Sequence, residues 1–455
     1  MKHCISFVLL AALCGSAAGQ EFLNTKEKAK QATARAYKQA VKDAGEGEHI
    51  FVAPGVIADR KKQTVTLFGW STNMKDEEPT EFFIINEESG KDFESLAVTT
   101  AKPSDVRKAI VFIGMEPGKT TNFQQLRFWP KGERMTMTFH WEEVGQQVAV
   151  PANELIYDEQ ENDTMPASGY MFTGSFFYED NKGEKKFAGD TLDTRGIAAT
   201  YNDAESLLTL PWQAPQGQVY GRYRANPEMR INDFTPLTVV LKPMDKGKPR
   251  VKDMTLTISP GEEELKFTLA DAKGEAAVEE GDVRAFLKAA GDIVKEGKDL
   301  YVAVVFDDVL AAANVAQSAK LLSTIDAFTG LRIEPPGEGQ VYYRAFTPNP
   351  RWRDRENRVF HGWEIHLDGP LNEKPTITLF DVTETRDDEG MAVIQETKHT
   401  PADGAALAKI IEDADKIRPR DIYLFVQPGR PYGHLRSVLA DVLDTHNVIF
   451  VYLKE

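Results

Sequence analysis

Hydrophobic and polar positions change rhythm several times along this chain. An apolar run, Ile5–Leu13, follows Lys2 and His3 and gives way to the small residues Gly15, Ser16, Ala17, Ala18 and Gly19. That order predicts a secretory signal cut near Ala18 or Gly19, because the greasy core is too short to cross a bilayer. Residues 20–48 are rich in Lys, Ala, Gln and Glu and close on Gly45-Glu46-Gly47. They predict one polar helix with a thin apolar stripe, expected as a solvated or loosely docked arm.

From 49 to 242 the rhythm is mostly that of strands. Thr64–Trp70 and Thr80–Asn86 are β-branched and aromatic runs between turn residues. Met135, Met137, Phe139 and Trp141 alternate with Thr136, Thr138 and His140, which puts the two sets on opposite faces. A hairpin is predicted at Asp180-Asn181-Lys182-Gly183. The helix expected here is Ser104–Met115. Its Val106, Ala109, Ile110 and Ile113 share a face, and Pro117-Gly118 ends it.

The final part repeats. Strands at 254–258 and 265–269 precede a helix striped by Val283, Phe286, Leu287, Ala290 and Val294. A buried strand follows at 300–305, then a helix at 314–325 and a strand at 331–334. The order returns with strands at 376–380 and 391–396 and a helix carrying Leu407, Ile410, Ile411 and Ala414. After it come Ile422–Val426, a helix over 432–443, and Val448–Leu453. Each copy reads β-β-α-β-α-β, a sheet with helices packed on it. The fold class predicted is α+β multidomain: a β-rich domain over 49–242, then two related modules at 250–335 and 373–455. A Pro- and Arg-rich connection at 336–372, ordered in part around Tyr342, Tyr343, Trp352 and Trp363, lies between the modules.

Composition narrows the chemistry. Both cysteines, Cys4 and Cys14, fall inside the predicted signal, so the exported chain has no disulfide, thiol nucleophile or thiolate metal site. A net charge of −16 argues against nucleic acid and anionic lipid. No later segment is apolar enough to span a membrane.

Phosphate-loop chemistry is excluded at Gly114-Met115-Glu116-Pro117-Gly118-Lys119-Thr120, since three residues separate the glycines and the motif follows a helix. His361 and His366 are five apart, which suits neither strand nor helix ligation, and no H-E-x-x-H occurs. The crowded acids Asp158, Glu159, Glu161, Asn162 and Asp163 lack calcium-loop spacing and read as a solvated loop. No G-x-S-x-G occurs. No metal and no cofactor is expected.

Several blocks resemble the YdjY family of exported bacterial proteins. They are Glu81, Phe93-Glu94-Ser95, Thr99–Asp105, Gly114–Gly118, Phe172–Ser175, Gly189-Asp190 and Leu208–Pro211. The resemblance implies fold and location over about 50–212 rather than a mechanism. Where the family often has His before the Glu-Ser pair, this chain has Phe93. Both C-terminal copies resemble the periplasmic domain of the ExbD/TolR family, the second more closely through Asp421–Val426, Pro431–Leu435 and Val438-Leu439. That family's membrane helix and its proton-responsive aspartate are absent, so the resemblance implies a module that pairs with itself, a partner protein or wall polymer.

Two functions are weighed. The first is an exported, non-catalytic binding or assembly protein of the cell envelope, periplasmic or secreted. Its partner would be an envelope protein or cell-wall polymer, with self-association through the C-terminal modules as a further option. Lys102, Asp105 and the cluster Arg351-Trp352-Arg353 are its candidate contacts, Trp offering a flat face and Arg gripping carboxylates. The second is a secreted hydrolase of a glycan or peptide, with Glu81 or Glu94 as the working carboxylate; two carboxylates across a cleft would favour it.

Overall fold

The computed structural model describes residues 25–75, 77–244, 250–328, 331–347, 362–415 and 420–454. The predicted signal, His361 and the Arg351-Trp352-Arg353 cluster lie outside the described residues. The protein is a mixed α+β, β-rich chain.

Helix α1 (Lys26–Ala44) starts on Thr25, whose hydroxyl accepts from the Lys28 N–H, and ends at Gly45 with φ 68°. It is not a free arm. Ala29, Thr33 and Tyr37 recur at every fourth position and face the body. Thr33 donates to the Gly69 carbonyl (2.9 Å) and Tyr37 to that of Ala53 (2.8 Å). Ala29 is fully buried. Small side chains let the helix sit close to the strand, so a thin stripe suffices.

An 11-stranded sheet follows. Strand Thr64–Ser71 pairs with Pro236–Pro243, which pairs with Arg134–Glu143. The path continues through Tyr170–Phe172, Leu208–Thr209, Gly196–Ala199, Phe82–Asn86 and Ser95–Thr99, and the last returns to Thr64–Ser71. The return closes a ring, and Val56–Asp59, Ile50–Ala53 and Gln146–Pro151 are attached beside it. Helix α2 (Pro103–Phe112) buries Val106, Ala109 and Ile110 against it. Asp158 departs from the solvated loop expected there. It is fully buried, and Arg222 grips both its oxygens at 2.7–3.0 Å.

The C-terminal half holds two five-stranded sheets of one topology. The first contains β1 (Val251–Pro260), β2 (Leu265–Ala270), β3 (Ala276–Gly281), helix α3 (Val283–Lys295), β4 (Asp299–Phe306), helix α4 (Ala312–Phe328) and β5 (Arg332–Ile333), in spatial order β3-β2-β1-β4-β5. The second contains β6 (Trp363–Asp368), β7 (Thr376–Arg386), β8 (Ala392–His399), α5 (Gly404–Ala414), β9 (Ile422–Val426), α6 (Tyr432–Leu443) and β10 (Val448–Leu453), in order β8-β7-β6-β9-β10.

Each copy therefore has one strand more than the expected β-β-α-β-α-β. In the first, β3 lacks large apolar residues. In the second, β6 falls inside the stretch expected as a connection, because Glu364 and His366 interrupt its apolar Trp363, Ile365 and Leu367. The repeats consequently align one strand out of step with the sequence reading. Val341, Tyr342, Tyr343 and Phe346, also from that stretch, are buried in a core that both copies share.

The copies meet through equivalent turns before α4 and α6. Ala312 N–H donates to Arg430 O (2.9 Å) and Tyr432 N–H to Leu310 O (2.8 Å). Ala313 N–H donates to Pro428 O and Gly433 N–H to Asp308 O, both at 2.8 Å. Each bond is answered by one from the matching position, which makes the seam pseudo-two-fold.

An arm over 119–131, closed by bridges Lys119–Lys131 and Asn122–Arg127, docks the N-terminal sheet on this pair. Phe128 stacks on Tyr342 with centroids 5.9 Å apart, Arg332 lies over Trp129, and Tyr301 donates to Pro130 O (2.6 Å). At its root, buried Asp299 accepts from Arg134 Nη2 (2.7 Å) and Nε (3.1 Å). Arg332 and Arg250 approach the same carboxylate at 3.1 and 3.4 Å. Burial, together with the two neighbouring guanidiniums, pulls the Arg134 pKa down, while Asp299 pulls it up. Asp299→Asn removes the charge that Arg134, Arg332 and Arg250 share, and we expect a loss of about 3–5 kcal/mol in denaturant unfolding. A loss below about 1 kcal/mol contradicts this account.

Candidate functional site

Three neighbouring strands converge at one end of the N-terminal ring. Strands Phe82–Asn86 and Ser95–Thr99 run parallel, so the residues that open them, Glu81 and Glu94, come side by side. Glu81 N–H donates to Glu94 O (2.9 Å). Gly196–Ala199 runs antiparallel on the other flank and ends at Thr200, whose N–H donates to Glu81 O (2.9 Å). The chain then passes through Tyr201, Asp203, Glu205 and Ser206. The register alone brings the two predicted carboxylates together and adds a third and fourth.

All but Glu205 of these carboxylates are buried. Gln216 Nε2 donates to both Glu81 oxygens, at 2.8 and 2.9 Å. Lys91 Nζ donates to Glu94 at 2.7 Å. Asp203 accepts from Ser206 Oγ (2.6 Å) and from Glu205 N–H (3.1 Å). Thr194 Oγ1 lies 3.1 Å from Asp203 and 2.9 Å from Glu205. A hydroxyl carries one proton, which these two carboxyls share or compete for. Burial pushes the Asp203 pKa up, and Glu205 adds to the shift. Burial also raises Glu81, helped by Glu94 and Asp203 and opposed by Gln216 and Lys91. The Tyr201 phenol is held neutral by burial and by Asp203, Glu81, Glu205 and Glu94 around it. Lys91 is the cation of the group, its pKa raised by Glu94.

The remaining predicted residues lie elsewhere. Lys102 is exposed before α2 and makes no side-chain capping bond. Asp105 pairs with Lys108 at 2.9 Å in the first turn of that helix. Asp190 does the capping, accepting from Ser104 N–H at 2.9 Å. Phe93 is 55% exposed and stands away from chemistry. The motif glycines serve close packing. A Cβ on Gly118 would fall 1.8 Å from Lys131 O, and one on Gly174 2.5 Å from the Pro117 side chain. Among the described residues, no three His, Cys, Asp or Glu side chains are grouped to hold a metal ion. Also among them, no helix is long and apolar enough to cross a membrane.

Asp203, Glu205, Tyr201, Lys91 and Gln216 were not singled out from sequence. The acidic pair in Tyr201-Asn202-Asp203-Ala204-Glu205 was the available signal, but nothing local ties it to Glu81.

Residues 56–199 match the model of the YdjY domain. No curated protein matches the chain. Among solved structures, it is similar at 8% identity to a Bacteroides thetaiotaomicron VPI-5482 protein described as having an actin-like ATPase fold and unknown function. The alignment covers 44% of this chain and 90% of that one, with a TM-score of 0.14.

The raised carboxyls set a pH dependence. A carboxyl whose folded pKa exceeds its unfolded one binds its proton more tightly in the native state. The associated stability is complete below the unfolded value and is lost as pH rises through the folded value. We therefore expect Asp203→Asn and Glu81→Gln to melt a few degrees higher than the parent at neutral pH. The gain should shrink as the pH falls toward the ordinary carboxylate range. Thermal unfolding across that range tests this; a gain that grows on acidification contradicts it.

Proposed function

We propose that this is an exported, non-catalytic binding or assembly protein of the cell envelope, with a wall polymer or an envelope protein as its ligand. One observation carries the reading. The carboxylates best suited to hydrolysis are buried and already engaged, Glu81 by Gln216 and Glu94 by Lys91, instead of facing each other across an open cleft. Supporting it, the motif blocks act in packing and capping, and two similar C-terminal units are joined to each other and to the N-terminal sheet. On this reading those units serve as ExbD/TolR-like assembly modules, and residues 1–19 direct export.

One observation favours the hydrolase alternative. Glu81, its pKa raised, lies beside the Lys91-paired Glu94, and such an asymmetric pair is what general acid catalysis uses.

The two are separated by incubating residues 20–455 with purified wall polymer. The binding reading expects co-sedimentation that is unchanged by Glu81→Gln, with no released fragments. Fragments released by the parent and lost at least 100-fold in Glu81→Gln establish the alternative.

A further inference from the structure

Helix α2 and the Phe172–Ser175 block meet at a cationic spot that the fold itself does not use. Arg107 Nε donates to Gly174 O (3.2 Å), and the guanidinium lies 5.6 Å from the centre of the Phe177 ring. Lys185 Nζ lies 5.0 Å from the same ring. Phe177 opens the hairpin formed by Phe177–Glu179 and Lys185–Phe187, which stands apart from the 11-stranded sheet. The Phe177 ring rests on Phe187, with centroids 5.0 Å apart, and is 50% exposed.

Neither cation forms an ion pair among the described residues. Arg107 makes no side-chain hydrogen bond beyond the one to Gly174 O, so its Nη1 and Nη2 are unspent. Lys185 is exposed, and Glu179 stands directly across the hairpin from it without pairing with it. Neighbouring acids are committed elsewhere: Asp180 and Glu184 to Lys186, Asp105 to Lys108, and Asp190 to the Ser104 N–H. In a chain of net charge −16, two unpaired cations on one half-exposed ring are a local reversal of sign.

Ser175 stands in the chain between the two points that Arg107 touches. Its backbone is left-handed, with φ 57°, and its Oγ is buried with no hydrogen-bond partner. Both features cost stability, and glycine would remove both costs. Packing gives no reason for a serine here.

We propose that Arg107, Ser175, Phe177 and Lys185 form a binding site for a carboxylate-bearing sugar of an envelope polysaccharide. This rests on the binding reading and names its contact and ligand class. The two unspent guanidinium nitrogens fit the two oxygens of one carboxylate, and Lys185 adds charge. The open half of the Phe177 ring offers apolar area for a sugar ring, and the Ser175 hydroxyl is a spare hydrogen-bonding group. A peptide carboxylate would engage the cations and leave Phe177 idle.

Calorimetric titration of residues 20–455 with trigalacturonate tests this, with neutral maltotriose and a short poly-glutamate for comparison. Trigalacturonate should bind, more weakly as salt rises toward about 0.5 M, and the other two should not. Lys185→Gln and Arg107→Gln should each raise the dissociation constant about tenfold. Lys185 makes no bond in the fold, so its variant should keep the parent's melting temperature. Ser175→Gly should melt about a degree or more higher yet bind more weakly. No binding at about 10 mM trigalacturonate overturns the proposal. So does equal binding of poly-glutamate, binding that both charge variants leave intact, or a Ser175→Gly protein that binds as the parent does. If wall polymer co-sediments with the parent and with Arg107→Gln alike, the binding reading stands and this site falls.

Discussion

A single buried carboxylate holds this molecule together as one body. Asp299 opens β4, which lies between β1 and β5 in the first C-terminal sheet, and gathers Arg134, Arg250 and Arg332. Arg134 belongs to a strand of the N-terminal ring, Arg250 to the approach to β1, and Arg332 to β5. The charges are unequal, and burial makes that expensive unless the geometry is good. Arg332 offsets part of the imbalance by donating to Tyr301 Oη and lying over the Trp129 ring. The arm at 119–131 is thus clamped where three segments remote in sequence meet.

The same logic recurs at smaller scale. Asp158 holds Arg222 in a small three-stranded sheet separate from the ring, and Arg430, fully buried, is held by the carbonyls of Gly369, Pro370 and Glu373. In a chain whose two cysteines lie at its extreme N-terminus, guanidinium forks do the cross-linking that disulfides do elsewhere.

Much of the second unit was legible from periodicity. Ile422–Val426, Tyr432–Leu443 and Val448–Leu453 fold over the bounds their apolar patterns predict, and Met135–Trp141 alternates in the structure as in the sequence. The two missed strands break the rule that periodicity relies on. β3 sets a single Val278 against the core among Ala, Glu and Gly, and β6 mixes Glu364 and His366 into its apolar run. Asp158 was misread because its partner lies 64 positions away. The candidate site was half legible. Glu81 and Glu94 could be chosen from their motif blocks, but only the pairing of three strands shows that Tyr201 and Asp203 stand beside them.

The seam between the two C-terminal units repeats its main-chain bonds in both directions, with Arg436 on Asp308 and Tyr432 against Phe306 added on one side only. Beyond those contacts the mates need not keep the same side chains. Where β1 and β4 carry Thr255, Thr257, Ala303 and Val305, the matching positions of β6 and β9 carry Glu364, His366, Tyr423 and Phe425. Two units of one topology within one polypeptide can thus carry different faces while the bonds between them stay equivalent.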